Sequence, residues 1–164
     1  MAENKIKYDV EGYDVLTSAL LELLNSYPGK EEDIGFSTLS EDGGIAMFPV
    51  SGAVVETETE DVVGNINQVC LYPFFVIYRA SGLSENSKVA AKEWLDNLGA
   101  WLEKQPVTIN GSEYWLDEYP PLTKGRKILS VERQSPGYLD KTNENGAEDW
   151  AIYISARYEN VLEV

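Results

Sequence analysis

Gln68-Val69-Cys70-Leu71-Tyr72-Pro73-Phe74-Phe75-Val76-Ile77-Tyr78-Arg79-Ala80 is β-branched or aromatic almost throughout, and it reads as the longest strand of the chain. Its near-continuous apolarity predicts burial on both faces, or one face in the core and the other against a partner. Pro73 donates no ladder hydrogen bond, so the reading places it at an edge or a bulge. A second strand of the same weight closes the chain. Trp150-Ala151-Ile152-Tyr153-Ile154-Ser155-Ala156-Arg157-Tyr158 alternates cleanly, with Trp150, Ile152, Ile154, Ala156 and Tyr158 on one face.

Two helices complete the pattern. Val15, Leu16, Ala19, Leu20, Leu23 and Leu24 recur at helical spacing behind Asp14 as N-cap, and Tyr27-Pro28-Gly29 ends the run. Ala91, Trp94, Leu95, Leu98, Trp101 and Leu102 form the stripe of the second helix, which Ser84 caps and Gln105-Pro106 stops. Both stripes read as core-facing, including the two tryptophans, which in another setting would line a cleft.

Shorter strands fill the intervals. Phe36–Leu39 and Gly44–Pro49 flank the turn signal Asp42-Gly43-Gly44, and Lys127–Arg133 is a further strand. Val107–Ile109 and Glu113–Leu116 flank Asn110-Gly111, a type I′ hairpin signal. The order of helix, strands, helix, strands predicts a single α+β domain over 1–164. It is a two-layer fold, a mostly antiparallel sheet covered by two helices. Residues 1–12 read as an N-terminal tail, and 50–67 and 135–149 as mobile loops that order on docking.

The composition excludes most catalytic classes. The chain has no histidine, one cysteine and a formal net charge of −15. Without histidine there is no Ser-His-Asp or Cys-His relay and no His-bearing zinc site. Neither a phosphate-binding glycine loop nor a calcium-loop register is present. The reading is therefore not an enzyme, with no cofactor and no metal; facing carboxylates of a hydrolase are the one catalytic alternative. The 28 acidic residues against 13 basic ones argue against nucleic-acid binding. Cys70 lies in an apolar run and reads as a buried hydrophobe. No apolar stretch is long enough to span a bilayer, and the N-terminus has no signal core, so a soluble protein without a membrane partner is expected.

Val54-Val55-Glu56-Thr57-Glu58-Thr59-Glu60 alternates acid with threonine, and as a strand it would set Glu56, Glu58 and Glu60 on one face. Three carboxylates invite a hard cation, but calcium needs six to eight oxygens around one point. A solvated acidic face, or the tip of a long hairpin turning at Gly64-Asn65, is the preferred reading.

Tyr13-Asp14-Val15-Leu16-Thr17-Ser18-Ala19-Leu20, Gly44–Pro49, Tyr72–Ala80, Ser84-Glu85-Asn86 before Lys92-Glu93-Trp94-Leu95-Asp96, and Trp150–Tyr158 together resemble the minor capsid proteins of tailed bacteriophages and prophages. The likeness runs from about residue 13 to 159. Within that group it is similar to tail terminator, or tail completion, proteins. The resemblance implies a homo-hexameric ring at the head-proximal end of the tail tube. Such a ring stops tube growth and joins the tail to the head, with tail tube protein and neck or head-completion protein as partners. The expected location is the virion, with assembly in the bacterial host cytoplasm. A head–tail connector of the neck is the alternative, and a monomeric binding module stands further off. Under the ring reading the run Glu56, Glu58, Glu60 and Asp61 is the candidate DNA-repelling lumen wall. Tyr72, Phe74, Val76, Tyr78 and Arg79 are the candidate subunit interface.

Overall fold

In the computed structural model, which describes residues 6–163, strands β4 (Ile66–Ala80) and β9 (Glu148–Leu162) pair antiparallel along all fifteen residues of each. They form the middle of a seven-stranded sheet. Strands β2 (Gly43–Pro49) and β3 (Val54–Glu60) share the free edge of β4, one beside each half. On the far side, β7 (Arg126–Arg133) and β8 (Tyr138–Thr142) share the free edge of β9 in the same way. Strand β1 (Ile34–Phe36) lies outside β2, and β5 (Val107–Ile109) pairs with β6 (Ser112–Tyr114) as a separate hairpin.

Helices α1 (Val10–Asn25) and α2 (Glu85–Leu102) both lie on one face of the sheet. Period-two alternation sends Cys70, Tyr72, Phe74 and Val76 of β4, with Ile152, Ile154, Ala156 and Tyr158 of β9, into the layer beneath them. Leu16, Leu20, Leu23 and Leu24 meet that layer from α1, and Trp94, Leu95, Leu98, Trp101 and Leu102 from α2. Tyr27 joins the helices, its ring 5.7 Å from Trp94 and 5.2 Å from Trp101 between centroids. The tryptophans thus pack as core, and the Trp94 indole N–H donates to the Gly29 carbonyl. The expected two-layer α+β fold is present. Among the described residues no helix is long and apolar enough to cross a membrane.

Several expectations need correction. Helix α1 starts four residues before Asp14 and is capped by Asp9, whose carboxylate accepts from the Gly12 amide at 3.0 Å. Within the expected tail 1–12, residues 1–5 lie outside the described residues. The remainder is built in: Tyr8 bridges Val54, and Val10–Gly12 is the first turn of α1. Half of the expected loop 50–67 is β3 and the start of β4. The expected loop 135–149 contains β8 and the start of β9. Polar composition hides these strands, because an edge strand exposed on both faces carries no alternating apolar signal. The strand expected at Phe36–Leu39 falls at Ile34–Phe36, Gly43 and Gly44 of the predicted turn already belong to β2, and the two strands pair parallel, with Ile34 opposite Ile45.

Pro73 sits in a central strand, though at a place where it costs no ladder bond. The register on that side of β4 passes from Leu71–Val54 to Phe74–Pro49, so residues 72 and 73 face the gap between β3 and β2. Asn110 (φ 50°) and Gly111 (φ 81°) make the expected β5–β6 turn. Helix α2 ends on Lys104 in the left-handed region (φ 64°), with the Gln105 amide donating to the Ala100 carbonyl.

One buried polar group ties the first element to the last strands. The Arg126 guanidinium holds both oxygens of Asp9, Nε to Oδ2 at 2.8 Å and Nη2 to Oδ1 at 2.5 Å. The Tyr158 hydroxyl donates to Oδ2 at 2.8 Å. Both charged side chains are buried, with side-chain exposure of 4% for Arg126 and 6% for Asp9. Burial alone would raise the Asp9 carboxyl. Hydrogen bonds from Arg126, Tyr158 and the Gly12 amide outweigh it and hold the group below its ordinary range. Gly12 has no room for a side chain, since a Cβ there would overlap the Asp9 carboxylate and crowd the Tyr158 hydroxyl.

Gly12→Ala should therefore lower stability by about 1–3 kcal/mol in urea unfolding, although alanine is the better helix former. Because the Asp9 carboxyl is depressed in the fold, its contribution is complete above the unfolded value of 3.8 and disappears as pH falls through the lower folded value. In Asp9→Asn this part of the acid dependence should vanish; an unchanged pH profile would contradict it.

Candidate functional site: the acidic hairpin and the open sheet face

The β3–β4 hairpin carries the expected acidic run, but its geometry differs from simple alternation. A register shift between Val55 and Thr57 marks a bulge at Glu56. Glu56 reaches Arg157 at 3.4 Å on the face away from the helices. Glu58 lies on the other face, where it accepts from Lys7 Nζ at 2.8 Å and from Gln68 Nε2 at 2.7 Å. The prediction of one face for Glu56, Glu58 and Glu60 is thus overturned by one extra residue in the strand. Asp61 closes the turn, its carboxylate accepting from the Val63 amide, the Asn65 amide and Asn65 Nδ2 at 2.9–3.0 Å. Against a desolvation that would raise it, these donors hold the Asp61 carboxyl below its usual range. Only Glu60 of the four has no such engagement among the described residues.

Glu58 begins a polar row that crosses the sheet. Glu58, Gln68, Asn160 and Arg126 stand opposite one another on β3, β4, β9 and β7. Asn160 Nδ2 donates to Gln68 Oε1 at 3.1 Å, continuing the chain inward from Lys7. This row and the Asp9–Arg126–Tyr158 group were not anticipated; Asp9 and Arg126 lie 117 residues apart, and no local pattern joins them.

The five candidate interface residues separate by side. Tyr72, Phe74 and Val76 are fully buried beneath the helices, so they are core and not available to a neighbouring subunit. Tyr78 also faces the helices, with its ring 5.5 Å from Trp94 and its hydroxyl donating to Glu31. Arg79 points to the opposite face and holds Asp149 through two bonds of 2.6 and 2.9 Å. The continuous apolarity of β4 reflects apolar side chains on both of its faces. The even positions are committed to the core, so the odd ones are free for contact.

Those odd positions form a sheet face that neither helix covers. Across β2, β4 and β9, Phe48, Phe75 and Tyr153 stand in one row, with the Phe75 and Tyr153 rings 4.8 Å apart. The adjacent row is Ala46, Ile77, Ala151 and, on β8, Tyr138. Leu71 and Pro73 extend the strip, and the large side chains on it are half-buried.

Three of the four edge strands, β1, β7 and β3, are guarded by contrast. The Asn25 side chain pairs both the N–H and the C=O of Ile34 on β1, at 2.8 and 3.0 Å. On β7 the Val131 amide donates to the Tyr119 hydroxyl and the Arg133 amide to the Glu103 carboxylate. Residues 7–9 cover the first half of β3, with Val55 N–H donating to the Lys7 carbonyl at 2.8 Å. Alternating glutamates guard the rest of that edge, so further strands are discouraged from pairing there.

No cluster of three or more metal-binding side chains gathers among the described residues. An open cleft of about 800 Å³ between Tyr119–Leu122 and β7 is lined by a single carboxylate, Glu118. A second of about 570 Å³ is an open bowl of loop residues bearing Glu32, Asp33 and Asp42. Cys70 is buried, which pushes its thiol up and suits a packing role. No family model matches the chain, and no curated protein matches it at a significant level.

Asp61 orders the hairpin tip locally. Asp61→Ala should speed amide exchange at Val63 and Asn65 while leaving the exchange of β4 and β9 residues near wild type. Equal protection of the tip in both proteins would show that the carboxylate is not what holds it.

Proposed function

We propose that this chain is a structural protein of a tailed phage or prophage particle, a tail terminator that forms a ring at the head-proximal end of the tail tube. The observation that carries the reading beyond the sequence resemblance is the contrast between guarded edges and an open face. A sheet with three of its four edge strands guarded and most of one face left without a covering helix is suited to associate in a limited way, as closed assembly requires. The absence of histidine from the chain and the lack of facing carboxylates across the Tyr119 cleft favour association over hydrolysis.

The acidic hairpin takes a definite place in this reading. A DNA conduit delivers best when its wall does not hold the phosphate backbone, and carboxylates repel phosphates. Glu60 and Asp61 at the hairpin tip, with Glu56 and Glu58 along its edge, supply such a wall, and the pairing of Glu56 and Glu58 with Arg157 and Lys7 lowers its charge without reversing it.

The test is electron microscopy of purified tail tubes assembled with and without this protein. Tubes of fixed length carrying a ring at one end are expected. Tubes that stay uncapped, with the protein bound to filled heads, would move it to the neck, and binding to neither would overturn the reading. Charge reversal of Glu56, Glu58 and Glu60 to lysine should leave capping intact and reduce DNA delivery; unchanged delivery would take the hairpin out of the lumen wall.

A further inference from the structure

The open sheet face differs in charge from the rest of the molecule. Register places Arg79, Lys127, Lys141 and Arg157 on it, together with Asp149, Glu159, Glu132 and, through its ion pair, Glu56. With Asp140, the bulge residue beside Lys141, five carboxylates stand against four cations, so the face is nearly neutral on a chain of net charge −15. The surplus of acid lies elsewhere, on the helical side, the hairpin tip and the loops.

The signs are also distributed. Arg79, Lys141 and Asp149 occupy one end of the face, and Arg157, Lys127, Glu56 and Glu159 the other. Between them lie the aromatic row of Phe48, Phe75 and Tyr153 and the low row of Ala46 and Ala151, both fully buried among their neighbours.

We propose that a second copy of this chain packs on this face, sheet against sheet. Two copies meeting through the helical side or the hairpin tip bring acid against acid. Here each copy presents a nearly neutral surface with an apolar middle, so a second copy meets less repulsion than on the acidic helical side or hairpin, while Arg79 and Asp149 already neutralise one another. A strongly basic partner would gain most on the acidic surfaces and little on this one. Sheets stack through such side-chain rows at about 10 Å, and the half-buried rings of Phe48, Phe75 and Tyr153 supply the apolar ridge for it. Contact through a face also agrees with the guarded edge strands β1, β3 and β7, which discourage association by strand addition.

The inference shares with the tail reading the open face as an association surface, and the tube experiment decides that reading separately. Sedimentation equilibrium on the purified full chain should give a mass at least twice 18.3 kDa at micromolar concentration. A species that stops at two chains supports face pairing and speaks against a ring; six chains support the ring, and support face pairing as well only if Ser155→Arg divides them into smaller species. Phe75→Glu should weaken association by about 30-fold or more, as expected for a central aromatic contact. Ser155→Arg, in the neighbouring row, should do the same with less burden on folding. Val89→Glu, on the exposed side of α2, should leave association unchanged. Near-native melting curves identify the variants that are compared. A wild type that remains a single chain through hundreds of micromolar, or association that folded Ser155→Arg leaves at wild-type strength, would overturn the proposal.

Discussion

The bidentate pair between Asp9 and Arg126, completed by the Tyr158 hydroxyl, holds together parts of the chain that otherwise share few polar contacts. It fixes the start of α1, because the same carboxylate caps the helix at Gly12. It also sets that helix end against β7 and β9, beneath which the leucine stripe of α1 must land. Two charges at this depth are unfavourable unless every oxygen and N–H finds a partner, and the cluster meets that condition at Asp9 through Arg126, Tyr158 and Gly12. Its value is positional. A hydrophobic substitute of similar size could match it in stability, but it would not specify where the helix begins.

That dependence explains which parts of the fold were legible in the sequence. The long strands β4 and β9, the stripes of both helices, the Ser84 cap and the Asn110-Gly111 hairpin all carry local signals, and each lies where periodicity and turn chemistry place it. The beginning of α1 does not. Asp14 and Asp9 are equally good caps by type, and only contacts with Arg126 and Tyr158, far along the chain, select Asp9. The polar strands β3 and β8 are faint in the sequence for a related reason, β3 showing only its acid–threonine alternation before the Gly64-Asn65 turn. Their stability comes from pairing with β4 and β9, and their own residues carry no buried face.

The candidate site shows the same division. Apolar residues at nearly every position from Gln68 to Ala80 announced contacts on two sides, and the structure separates them: Tyr72, Phe74 and Val76 inward, Leu71, Phe75 and Ile77 on the open side. Alternation alone could not say which set belongs to the helices. Nor could it reveal the bulge at Glu56, which sends one glutamate of the acidic run to Arg157 and leaves its neighbour with Lys7 and Gln68. Edge protection was equally hidden. Asn25, Tyr119 and Glu103 look like ordinary polar residues of helix ends and loops, and their role appears only when Ile34, Val131 and Arg133 are seen to need partners.

The most direct measurement of the central dependence is a double-mutant cycle on Asp9 and Arg126. Asp9→Asn, Arg126→Met and the double variant would be unfolded in urea near neutral pH. Each single change leaves a buried group without its partner, so each should cost about 3–5 kcal/mol. The double change should cost well below the sum, giving a coupling of at least about 2 kcal/mol. Additive losses, or single variants as stable as the wild type, would contradict the view that this buried pair sets the first helix on the sheet.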